Sequence, residues 1–105
     1  MSANQATVDA QALIKRVIKI VDRPENVKEK FSHPFSAAVR MECDYRGLHL
    51  YARGQSSGYG NGSLVVRVSE GEHILLDAEG PYIGGQLIIK TYEPGQWEKV
   101  ISSFQ

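Results

Sequence analysis

The chain has a single cysteine, Cys43, among 105 residues, which excludes an intramolecular disulfide and any metal site built from several thiolates. That suits a reducing cytosol. Twelve basic side chains balance twelve acidic ones, so no net field draws the chain to nucleic acid or to an anionic membrane. No apolar run approaches the roughly 18 residues of a membrane span, and no basic start followed by an apolar stretch marks a leader. The expectation is one soluble, cytoplasmic domain over residues 1–105, with 1–7 as a disordered lead-in and no cofactor signature.

What is present is clear periodicity. Leu13, Ile14, Val17, Ile18 and Val21 share one helical face, with Lys15, Arg16, Lys19 and Arg23 on the other, which predicts an amphipathic helix over Val8 to Val21. Pro24 suits a first helical turn, so a short second helix is expected over Pro24 to Phe31. After His33-Pro34 the period changes to two: Phe35, Ala37, Val39, Met41 and Cys43 alternate with polar residues, as in a strand with one buried face. Further strands are expected over Leu48 to Arg53, Leu64 to Glu70, His73 to Ala78 and Gln86 to Tyr92. Trp97, Val100, Ile101 and Phe104 then follow helical spacing after Pro94-Gly95, which predicts a short helix, with a sixth strand as the alternative. The predicted fold is α+β: a five-stranded antiparallel meander, with the N-terminal helix and a short C-terminal helix packed on one face.

Facing residues in a ladder share a face, and that parity suggests registers. Cys43 is expected opposite Leu48 across a four-residue connection, Val68 opposite Ile74, and Ala78 opposite Leu87. The outer face then carries Glu42, His49 and Arg67 in one row, and Arg40, Tyr51, Val65 and Asp77 in the next. A carboxylate beside an imidazole is the minimum for general acid–base work, with Arg67 placed to hold an anion. Ordinary cross-strand charge pairing is the competing explanation. Cys43 points inward while His49 and His73 point outward, so a thiol–imidazole dyad is not expected. His33, His49 and His73 lack zinc-site spacing, and no metal is expected.

The stretch from Arg53 to Ser63 places four glycines around Tyr59. Gly58-x-Gly60-x-Gly62 superficially resembles a phosphate loop, but a Leu-Val-Val-Arg-Val strand follows it instead of a helix. In the meander this connection and the one carrying Tyr82 emerge at the same end of the sheet. Arg53, Ser57, Tyr59, Asn61, Asp77 and Tyr82 are therefore the candidate binding residues. Tyr51, Val65, Leu75 and Ile88 interrupt the polar pattern of the outer face, as a dimer interface would.

Tyr51-Ala52-Arg53-Gly54, Gly62-Ser63, Gly71, Asp77, Tyr82, Gly84-Gly85 and Trp97 resemble the spacing of a family of small bacterial domains of unknown function. The resemblance covers about the last half of the chain and implies no assigned activity. The sequence thus points to a small non-catalytic binding or protein-interaction module, homodimeric, recognising a partner or small ligand through the two Gly/Tyr loops or the outer sheet face. The alternatives are a small hydrolase or isomerase using Glu42 and His49, and an antitoxin-like or immunity partner.

Overall fold

The computed structural model describes residues 3–57, 62–81 and 87–104. Helix α1 spans Ala3–Val21, beginning before Val8 and taking in residues 3–7, which were expected as a lead-in. Its buried stripe is Ala10, Leu13, Ile14, Val17, Ile20 and Val21, with Ile18 at the margin, partly exposed. The side-chain Nδ2 of Asn26 donates to the Val21 carbonyl at 3.0 Å and satisfies one orphan acceptor at the helix end. Pro24 opens only a single 3₁₀ turn, Pro24–Asn26.

Strand β1, Val27–His33, follows where a second helix was expected. It pairs with the edge of β2, Ser36–Tyr45, through Lys30↔Val39, Phe31↔Ala38 and His33↔Ser36. The helix fails because Val27 to His33 has no apolar stripe to bury. The strand succeeds because β2 would otherwise leave ten residues of backbone unpaired on that side.

The sheet continues through β3 (Leu48–Ser57), β4 (Gly62–Glu70), β5 (His73–Pro81) and β6 (Ile88–Tyr92) in the order β1-β2-β3-β4-β5-β6, every pair antiparallel. The meander therefore has six strands, the sixth being β1. Helix α2, Trp97–Ser102, closes the chain as its spacing predicted.

Three registers differ from expectation, each for a local reason. Tyr45 lies opposite Leu48 and Cys43 opposite Leu50, because Arg46 and Gly47 form a two-residue turn with φ of 49° and 86°. Positive φ at both central residues matches the twist of the flanking strands, and glycine takes it without a Cβ penalty. Val68 faces Leu76 while Ser69 faces Ile74, so Leu75 is the extra residue of a bulge. A second bulge puts Ala78 opposite Ile89 and leaves Lys90 as the extra residue between Ile89 and Thr91.

The core lies between the inner sheet face and the two helices. Leu50, Ala52, Val66, Val68, Leu76 and Ala78 meet Leu13, Ile14, Val17 and Val21 of α1 and Trp97 and Ile101 of α2. Each fully buried leucine or valine contributes about 1.5–3 kcal/mol relative to exposure. Two polar contacts tie α1 to the distant end of the chain: Gln11 Nε2 donates to the Leu87 carbonyl at 2.7 Å, and Arg16 donates to the Phe104 carbonyl. Trp97, 4% exposed, donates its indole N–H to the Glu93 carbonyl at 2.7 Å. No described helix is long and apolar enough to cross a membrane.

Candidate functional site

The outer face carries a chain of alternating charge. Arg40 donates to Glu29 at 3.2 Å and to Glu42, linking β1 and β2. Glu42 Oε1 receives His49 Nε2 at 2.8 Å, and Asp44 Oδ1 receives His49 Nδ1 at 2.9 Å. The imidazole is thus held at both nitrogens. The hydrogen bond to Asp44, then that to Glu42, raises its pKa above the ordinary 6.5, with partial burial opposing.

The row predicted as Glu42, His49 and Arg67 is different in detail. Tyr51 lies opposite Glu42, and Arg67 lies opposite Tyr51 and Asp77. His49 lies opposite Asp44 and Ser69 and reaches Glu42 diagonally. The predicted second row is corrected likewise: Arg40 shares a row with Arg53, Val65, Glu79 and Ile88. Arg67 caps the Tyr51 ring at 5.4 Å, and its Nε is 3.6 Å from Asp77 Oδ1. That separation permits charge attraction but no hydrogen bond, and Nε is buried with no hydrogen-bond partner among the described residues.

These contacts bear on chemistry. A general acid or base needs a ring nitrogen free to meet substrate, and both nitrogens of His49 face carboxylates of its own strand pair. Glu42 and Asp44 sit against opposite ring nitrogens, so they do not converge with one nitrogen on a common ion. Among the described residues no three His, Cys, Asp or Glu side chains are placed to hold a metal. Cys43 packs against the core on the inner face, and desolvation, followed by the Asp44 charge, raises its pKa and keeps it a thiol.

The candidate interface also changes. Leu75 was expected on the outer face, but the bulge turns it inward, where it is 7% exposed and belongs to the core. Tyr51 lies under Arg67. Glu79 stands between Val65 and Ile88 in their shared row, joined to Lys90 at 2.6 Å. The Lys90 ammonium lowers the Glu79 pKa, and the carboxylate raises that of Lys90. The outer face is therefore mostly polar, with Ile88 (70% exposed), Phe31 (55%) and Ile74 (40%) as separate apolar exceptions.

Of the candidate binding residues, Arg53 is exposed on the outer face and Asp77 is engaged by Arg67. Ser57 ends β3 opposite Ser36. Tyr59, Asn61 and Tyr82 lie outside the described residues.

Sequence reasoning missed a groove on the inner face, between the C-terminal part of α1 and strands β1 to β4. Its volume is about 780 Å³, and Ile18, Val27, Val39, Met41 and Leu64 supply an apolar lining. Arg23 and Lys30 also line it, and neither has a carboxylate partner among the described residues. Among the described residues, Asp22 is the one acidic lining residue. Gly54 lacks a side chain that would reduce the space. The available signal was Ile18, which lies on the edge of the apolar stripe and exceeds what the helix needs to dock. Comparisons with protein-family models, characterised proteins and solved structures return no match.

Proposed function

We propose that the chain is a non-catalytic binding module that takes an elongated apolar ligand with an anionic end into the inner-face groove. The observation that carries this reading is an open apolar lining of Ile18, Val39, Met41 and Leu64 beside two cations with no carboxylate partner among the described residues, Lys30 and Arg23, the latter with its guanidinium 6.0 Å over the Phe104 ring. An apolar chain gains by leaving water for such a surface, and the cations favour a carboxylate at its end over a neutral group. The doubly engaged His49 supports the non-catalytic part of the reading.

Titration with dodecanoate, followed by amide chemical shifts, tests it. Shifts are expected around Ile18, Val39, Met41 and Leu64. Lys30→Glu weakens the carboxylate about tenfold and dodecanol much less. Val39→Asp weakens both. Shifts confined to the outer face, or no saturable shift at all, overturn the reading.

A further inference from the structure

Strand β1 is an edge, with β2 on one side and no strand on the other among the described residues. All of its residues after Val27 are exposed. A free row of backbone N–H and C=O groups is a template for another strand. Natural edges are blunted by charge, bulges or brevity, and β1 has a bulge between Val27 and Glu29. From Glu29 to His33 the pairing with β2 is regular, and this regular half carries Phe31, 55% exposed. Phe31 stacks on His33 with ring centroids 6.1 Å apart, and Phe35, 68% exposed, continues the line.

We propose that a second copy of this chain pairs with β1 edge to edge, antiparallel, about a two-fold axis through Phe31. This goes beyond the groove reading and does not depend on it. Register follows from parity and charge. Glu29, Phe31 and His33 point to the outer face and Lys30 and Ser32 to the inner one, and opposed residues must share a face. Centring on Lys30 sets two ammonium groups against each other on the axis, and centring on Glu29 does the same with carboxylates. Centring on Ser32 leaves Glu29 and Lys30 beyond the partner strand. Centring on Phe31 places ring on ring, Lys30 opposite Ser32 of the other copy, and Glu29 opposite His33 twice over.

The local geometry of His33 suits that role. The Phe35 amide donates to its Nδ1 at 3.4 Å, which leaves Nε2–H as the donor of the neutral ring. Glu29, 72% exposed at its side chain, has acceptor capacity beyond its contact with Arg40. Edge pairing about an axis perpendicular to the sheet joins the two meanders into one sheet with both α1 helices on the same side.

Sedimentation from micromolar to millimolar concentration tests this, at constant salt. The expected species at the upper end has twice the 11.7 kDa chain mass. Because each contact occurs twice, Glu29→Lys and His33→Glu each weaken the dimer about tenfold or more, and the double variant recovers to within about threefold. Phe31→Lys gives monomer. Circular dichroism shows that the variants remain folded, and isotope-filtered NOEs between Phe31 rings of the unmodified protein check the axis without mutation. A monomer at millimolar concentration overturns the proposal. So does a dimer that is indifferent to all three positions, or one in which the charge swap fails to rescue while the NOEs are absent.

Discussion

His49 Nε2 lies 2.8 Å from Glu42 Oε1 although the two residues are not cross-strand partners. Tyr51 is opposite Glu42, and Asp44 is opposite His49. The imidazole spans the diagonal and closes a clamp across the β2–β3 hairpin, receiving one carboxylate at each nitrogen.

That clamp predicts a pH dependence. The native pKa of His49 lies above the ordinary 6.5, so the folded state holds the proton more tightly. Its contribution is fully present below the unfolded pKa and is lost as pH rises through the native value. The side chain is 42% exposed, so solvent screening limits the effect to about 0.5 kcal/mol. Urea unfolding of the protein and of His49→Gln should differ by this amount at mildly acidic pH and converge in alkali.

Leu75 and Ile88 should respond oppositely to truncation. Leu75→Ala opens a cavity in the core and should cost about 2–4 kcal/mol, whereas Ile88→Ala, at an exposed site, should stay within about 0.5 kcal/mol. Equal losses in denaturant unfolding would remove the inward bulge assigned to Leu75.

Gly47→Ala should destabilise by about 1 kcal/mol, because φ is 86° there while an added Cβ meets no neighbour within 4 Å. The cost is therefore backbone strain. Thermal unfolding monitored by Trp97, the one tryptophan, reads it directly.

The elements that bury a face were legible in the sequence. The stripe of α1, the alternation of β2 to β5 and the spacing of α2 all reflect one side leaving water. Strand β1 was not, because Lys28, Glu29, Lys30 and Phe31 are all exposed and edge pairing leaves no apolar period to read. Parity could place residues on a face but could not reveal the extra residues at Leu75 and Lys90, each of which breaks the alternation. Glu42 and His49 came together despite a register two residues out, because a diagonal neighbour is also within reach of long side chains. The groove escaped notice because residues from α1 through β4 form it, and no single segment carries its pattern.

Each strand pairs only with its neighbours in the chain, so the sheet is a run of contacts closing short loops. By contrast, Gln11 meets Leu87 and Arg16 meets Phe104 across 76 and 88 residues. Loop-closure entropy favours the ladder forming first and α1 arriving late. Gly47→Ala should then slow folding, while Arg16→Ala should hasten unfolding and leave the folding rate within about twofold, as stopped-flow Trp97 fluorescence would read. The helix acts as a clasp, setting how long the native state lasts more than how quickly it is reached.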